Sequence, residues 1–382
     1  MKRIGLFLLV AALSTGASAQ KSKVLAIFQM IDAKKYEEAK EAIELAVWND
    51  KTARWPRTYY AKGVLCQTAY EEGYKKRNTK LTGLYPDQLY VAYKAYERAL
   101  ELDARERLHT PIMQRYYSLG NDFSTLGEDH FSKKEYEKAL RAFEHALLVR
   151  NSPLIKAKMD TGLVYNAALA AYESENWDKA VGYLTGLHDD KHDPATSLLL
   201  YKACMATGDS ARAEEVLVEA AEIYDYDEQV VIYLINLFAR TNRLDLAIKI
   251  LDDAIDHRPD HYRFLWGKGL IQRRMGIQDE AIESFLAAAE LAPHEAKVFY
   301  HLGVIYYNIG IDLQEASLNI KDIARYHELR EQSREKFLEA VKWLEQSYEL
   351  DPSDEKTISR LSQLYYQLQM KEKEGSLKLP ID

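Results

Sequence analysis

The chain has 382 residues, 47% of them hydrophobic and 29% charged, with 51 basic against 59 acidic side chains and a formal net charge of −8. Such a composition calls for one or two folded domains rather than disordered chain. The acidic balance disfavours nucleic acid and anionic membrane surfaces as bulk partners. The two cysteines, Cys66 and Cys204, sit among apolar residues. They read as two buried thiols, the usual habit of free cysteine, with pairing in an oxidising compartment as the alternative.

In chain order, the first element is MKRIGLFLLVAALSTGASAQ. Lys2 and Arg3 precede an apolar run from Ile4 to Leu13, and Ala17-Ser18-Ala19 supplies small residues, the pattern of a secretory signal peptide cut after Ala19. The run is shorter than the roughly 20 residues a membrane-spanning helix needs, and no later segment qualifies as one. No integral membrane segment is therefore expected, and the expected location is periplasmic or secreted. Without Lys2 and Arg3 the mature chain keeps 49 of the 51 basic residues against 59 acids, a net charge of −10.

The rest of the sequence repeats itself. The spacing A-x3-Φ-x2-A, where Φ is a large apolar residue, recurs at Ala39, Ile43, Ala46; at Ala92, Tyr96, Ala99; and at Ala139, Phe143, Ala146. It returns at Ala180, Leu184, Leu187; Ala213, Leu217, Ala220; Ala247, Leu251, Ala254; Ala281, Phe285, Ala288; and Ala340, Leu344, Ser347. From Ala180 through Ala213 and Ala247 to Ala281 the copies keep a nearly constant period of about 34 residues, the mark of a stacked-repeat architecture. Upstream halves such as Phe123-x2-Leu126-Gly127-x2-His130 and Phe299-x2-Leu302-Gly303-x2-Tyr306 complete the unit. Apolar residues at i, i+3, i+4 and i+7 make each half an amphipathic helix. Small residues such as Gly127 and Gly303 let paired helices approach, and the following large residue fills the gap between pairs. Glu355 to Met370, with Ile358, Leu361 and Tyr365 between polar residues, reads as the capping helix of a stacked array.

These motifs resemble the tetratricopeptide repeat family, whose helix-turn-helix unit has about 34 residues. The resemblance implies an all-α, right-handed superhelical solenoid of about eight repeats plus a C-terminal capping helix. The expected division is a signal peptide over 1–19, repeats one to three over 20–153, repeats four to eight over 154–353, and a capping helix and tail over 354–382. Relative to the family period, repeat two holds about 17 extra residues near 67–91 and repeat eight about 25 near 311–336. The second insert lacks proline and glycine, so it should lengthen both of its helices, and both inserts are candidate projections. Spacers near Thr110-Pro111 and Ser152-Pro153 suggest lengthened first helices in repeats three and four. The Ala-Gln junction at the cut and the tyrosine-rich repeats are similar to exported repeat proteins of Bacteroidetes-type bacteria.

Catalytic signatures are scarce. His188 with His192, and His257 with His261, are each four apart among acids, a metal-binding spacing only if the backbone between them is helical. Both pairs fall at inter-repeat turns, so no metal site and no cofactor is expected. No G-x-S-x-G elbow or cysteine nucleophile signature occurs. WGKGLIQRRMG, residues 266–276, has Gln272 where a G-x-G-x-x-G phosphate loop needs glycine, so Gly269 reads as a helix-contact residue and Gly276 as a turn.

The alternative to catalysis is binding. In this family the concave groove is lined by the first helix of each unit. Transferred by position, this gives Tyr165, Leu169 and Tyr172; Leu198, Lys202 and Met205; and Ile232, Asn236 and Arg240. Repeats seven and eight add Arg263, Trp266, Leu270, Arg273 and Arg274, then Lys297, Tyr300, Val304, Tyr307 and Asn308. The surface is aromatic and basic on an acidic protein, which suits an acidic peptide or helix of a partner. It departs from the family's carboxylate clamp, because Asn236 is the only asparagine at its position. The expected function is a non-catalytic scaffold or adaptor in the bacterial cell envelope. The alternative is a substrate-binding subunit of an envelope enzyme, or a hydrolase without a recognisable motif.

Overall fold

The computed structural model describes residues 19–155 and 160–377, all of whose regular structure is helical. The expected signal segment, up to residue 18, and the end of the tail after residue 377 lie outside the described residues. The helices are α1 (19–32), α2 (Tyr36–Trp48), α3 (Pro56–Lys76), α4 (Thr79–Thr82), α5 (Gln88–Leu102), α6 (His109–Ser132) and α7 (Tyr136–Arg150). Next come α8 (Thr161–Glu173), α9 (Trp177–Asp189), α10 (Pro194–Thr207), α11 (Ser210–Ile223), α12 (Glu228–Arg240) and α13 (Leu244–His257). The last are α14 (Tyr262–Met275), α15 (Gln278–Leu291), α16 (Ala296–Leu318), α17 (Ile323–Leu350), α18 (Glu355–Gln367) and α19 (Lys371–Glu374). Among the described residues this makes eight helix pairs in chain order, followed by α18. The chain forms two compact units, Met1–His192 with Ala206–Gly208, and Asp193–Met205 with Asp209–Asp382. The spacer at Ser152-Pro153 falls within the first.

The turn inside six of the eight pairs follows one rule. Lys34, Lys134, Glu175, Gly208, Asn242 and Gly276 all have left-handed φ between 57° and 82°. The residue after each donates its N–H five residues back, as in Glu135 to His130, Asn176 to Ala171, Arg243 to Phe238 and Ile277 to Gln272, at 2.8–3.0 Å. This is the Schellman closure, which satisfies carbonyls at the helix end and reverses the chain. Left-handed backbone costs a non-glycine residue about 1 kcal/mol, so Gly208 and Gly276 relieve strain that Lys134 and Asn242 retain. Aspartate starts several helices: Asp160, Asp209 and Asp354 accept from the N–H groups of Leu163, Arg212 and Thr357 at 3.0–3.1 Å.

The helices of a pair meet at a small residue facing a large one. A Cβ built on Gly127 would lie 2.5 Å from the Phe143 ring, and one on Gly269 2.7 Å from Phe285. Gly63 meets Tyr96 and Gly303 meets Leu344 in the same way. Gly127 and Phe143 have the same sequence separation as Gly269 and Phe285. Gly63 and Tyr96, and Gly303 and Leu344, are further apart by just the insert lengths expected from the repeat period. The inserts thus enter between the helices without changing the contact.

The inserts differ in form. In the second pair, α3 is lengthened and the chain folds back through α4, so that the first insert does not project as expected. Leu84 is buried, its carbonyl accepts from Lys40 Nζ at 2.6 Å, and Tyr85 Oη donates to Glu44 at 2.8 Å. Buried Gln88 donates to the carbonyls of Cys66 and Leu81. In the eighth pair both helices are lengthened, to 23 and 28 residues, as the absence of proline and glycine implied. The spacer readings divide likewise: α6 has 24 residues, but α8 has only 13 and begins at Thr161, so the spacer at Ser152-Pro153 does not lengthen it. Pro153 breaks the helical ladder there. Ile358, Leu361 and Tyr365 of α18 are buried, and Leu361 and Tyr365 join the core of the last pair. Cys66 is a buried free thiol that burial pushes up to about 12, and Cys204 is also buried. No helix among the described residues is long and apolar enough to cross a membrane.

Candidate binding surface

The expected binding residues divide by unit. In the first, Tyr165 and Tyr172 are half-buried on α8; Tyr165 stands 5.5 Å from His192, and Tyr172 meets Trp177 edge-on at 5.3 Å. In the second, Lys202 of α10 lies over the Tyr233 ring at 5.3 Å. Asn236 and Arg240 of α12 are exposed, as is Arg274 of α14. Among the described residues Arg240 and Arg274 have no ion-pair partner, whereas most nearby arginines are committed. Arg243 holds Glu214 through both terminal nitrogens at 2.7–2.9 Å, and Arg212 holds Glu215 at 2.8 Å.

Three expected residues stand differently. Arg263 is tied to Glu228 and to the Tyr262 hydroxyl, so its charge is already matched. Trp266 is half-buried, packed on the core of Ala281, Phe285 and Phe299 with its indole N–H enclosed. Tyr307 is a correction: it is only 8% exposed, with its ring 5.7 Å from Phe337 and the Arg360 guanidinium 4.3 Å above it. The lengthened α17 and the capping helix cover the position that stays open in a standard repeat.

A residue missed by position-counting joins α14 to α16. His301 accepts from Arg273 at 3.4 Å, lies 5.7 Å from Trp266 and 5.4 Å from Tyr300, and stacks on Phe285. Burial, then the Arg273 and Lys356 charges, lower it to about 4. A neutral ring accepts from Arg273, holding that guanidinium at the surface. The only sequence signal was its place beside Tyr300, on a helix face the family rule assigns to packing.

The unfolded imidazole, near 6.5, binds its proton before the folded one does. Between pH 6.5 and 4 the unfolded state therefore carries more protons, and stability falls as pH falls through that window. His301→Gln keeps an acceptor and removes the titration. It is expected to lose about 2 kcal/mol less than the native chain between pH 7 and pH 4, read by urea unfolding at each pH. Parallel losses would exclude this role.

The histidine pairs are separated by turn geometry. Lys191, with φ of 55°, ends α9 between buried His188 and exposed His192. His257 faces Asp225 at 3.1 Å, whereas His261 faces Glu228 at 3.3 Å. Among the described residues no three histidine, cysteine or acidic side chains converge as metal ligands. Gln272 is buried and accepts from Ser284 Oγ at 2.7 Å, linking α14 to α15 where a phosphate loop would need glycine.

The first unit holds a polar network that the repeat pattern did not reveal. Gln67 of α3 accepts from the buried Tyr96 hydroxyl at 2.9 Å and donates to Ser118 at 2.8 Å and Asp122 at 3.2 Å. Asp122 is raised to about 7 by burial first and then by the Glu71 charge.

With this geometry in hand, the tetratricopeptide repeat model matches residues 234–310. No curated protein matches the sequence. Among solved structures, a tetratricopeptide repeat protein from Bacteroides fragilis NCTC 9343 is 16% identical with a TM-score of 0.36, over 65% of this chain and 98% of that one. MamA from Desulfovibrio magneticus RS-1 is 18% identical with a TM-score of 0.33, over 49% and 97%. A MamA RS-1 double mutant is 20% identical with a TM-score of 0.34, over 51% and 100%. At such values these likenesses carry no argument, and the family resemblance rests on the match over residues 234–310. The matched segment runs from α12 into α16 and includes the Gly269–Phe285 contact, and the same small-on-large contact recurs outside it at Gly63 on Tyr96 and at Gly127 on Phe143.

Proposed function

We propose that the chain is exported and acts in the bacterial cell envelope as a non-catalytic scaffold, holding an acidic peptide or helix of a partner against α12 and α14. Stacked repeats present extended surfaces for binding, and repeats of this family serve as protein-interaction scaffolds. The observation that carries the acidic ligand is the pair of exposed, uncommitted guanidiniums, Arg240 and Arg274, with Arg273, next to Arg274 in the chain, held by His301. Of the neighbouring arginines, Arg212, Arg243 and Arg263 are each neutralised by a glutamate. Guanidinium grips carboxylate in a fork, about 1.5–3 kcal/mol for each charge-assisted bond.

Arg240, Arg273 and Arg274 changed together to alanine should weaken binding of a fluorescein-labelled glutamate-rich peptide at least tenfold by anisotropy. The same variant should lose partner capture in a crosslinking pull-down from envelope extract, where the mature chain should begin at Gln20. Unchanged binding by the triple variant would overturn the reading.

A further inference from the structure

The second insert builds a feature separate from the α12–α14 face. His327, Arg330 and Arg334 lie at i, i+3 and i+7 on α17, hence on one side of the helix. That side lines a cavity of about 620 Å³, within the size range of small-molecule sites. Opposite stand Gln314 of α16 and Gln367, Leu368 and Gln369 at the end of α18.

The walls are fixed to one another. Ser333, buried on the cavity side, donates to the Gly310 carbonyl at 2.7 Å. A Cβ on Gly310 would lie 2.7 Å from the Phe337 ring, so glycine permits the close approach of α16 and α17 there. Gln367 Nε2 donates to Gln314 Oε1 at 2.9 Å, tying α18 to α16.

The charge in the cavity is unbalanced. Among the described residues Arg330 and Arg334 have no ion-pair partner, whereas Arg325, earlier on α17, is paired with Glu328 at 2.6 Å. Glu331 is the one carboxylate among the lining residues, against two guanidiniums. Planar guanidinium forks match carboxylate and phosphate oxygens. The mutual bond of Gln314 and Gln367 uses one donor and one acceptor, and each amide has two donor hydrogens and two acceptor lone pairs. Donors and acceptors therefore remain side by side, an arrangement suited to hydroxyl groups.

We propose that this cavity binds a small sugar acid or sugar phosphate, its oxyanion gripped by Arg330 and Arg334 and its hydroxyls by Gln314 and Gln367. The site is independent of the acidic-peptide reading. Isothermal titration of the full chain with glucuronate and with glucose 6-phosphate separates the carboxylate from the phosphate source, and glucose and inorganic phosphate report the two halves alone. At least one sugar anion should bind saturably, and more tightly than either half.

Arg330→Ala with Arg334→Ala should weaken that binding at least tenfold with unchanged Tm, while Arg240→Ala with Arg274→Ala leaves it intact. Gln314→Leu with Gln367→Leu should reduce the preference for the sugar anion over its bare oxyanion. The proposal is overturned if neither sugar anion saturates, if the Arg330 and Arg334 double variant binds as tightly, or if inorganic phosphate alone binds as well as the sugar anions.

Discussion

Phe285→Ala is expected to destabilise the second unit by about 3–5 kcal/mol, the range for truncating a fully buried aromatic. Phe285 has no exposed surface, covers Gly269 and supports the His301 ring. Gly269→Ala alone should cost about 1–3 kcal/mol, because its new methyl would sit 2.7 Å from that ring and overpack the contact. The two changes should not add. In the double variant the methyl occupies space the ring has left, so the combined loss should fall at least about 1 kcal/mol short of the sum. Denaturant unfolding of the four proteins measures the coupling. Additive losses would show that the small-on-large contact does not hold α14 to α15.

Asp122→Asn is expected to stabilise the first unit at alkaline pH. The carboxyl is half-buried beside Glu71, and its ionisation is pushed up to about 7 from an ordinary value near 3.8. A raised folded value means the native state holds the proton while the unfolded chain has released it. The contribution is therefore complete below pH 3.8 and is lost as pH rises through 7. At pH 8 the native state carries a confined negative charge opposite another. Asparagine removes that charge and keeps an oxygen to accept from Gln67, the donor now 3.2 Å away. The gain should be about 2 kcal/mol at pH 8 and near zero at pH 4, read as Tm against pH. A variant no more stable at pH 8 than the native chain would refute the carboxyl pairing.

Periodicity made much of the fold legible. Ala281, Phe285 and Ala288 recur because each helix buries one stripe, and a stripe leaves a 3.6-residue signature whatever the partner. Gly303 and Leu344 could be recognised on either side of an insert for the same reason. The first insert was legible in length but not in path, since the packing of Leu84 depends on contacts with α2 that no local pattern encodes. Among surface residues, Arg240 and Arg274 were found by position because a first helix presents the same side in every standard repeat. Tyr307 was misplaced because a longer α17 and a capping helix covered it. His301, Gln67 and Asp122 escaped because their roles arise from partners on other helices: Arg273 of α14 for His301, and Gln67 of α3 with Asp122 of α6 for each other.

The spacing of the eighth pair bears on the order in which it folds. Bringing Gly303 to Leu344 closes a much longer stretch of chain than bringing Gly269 to Phe285. The entropy of closing a flexible loop grows with the logarithm of its length, an added cost of about 0.8 kcal/mol here. Gly310 and Phe337 lie closer together in the sequence and nearer the turn. The cheaper contact is expected to form first and to shorten the search for the longer one, which would zip the hairpin from its tip toward the body of repeats. Its tip, the part added to the repeat period, is then the expected starting point for folding of the last pair.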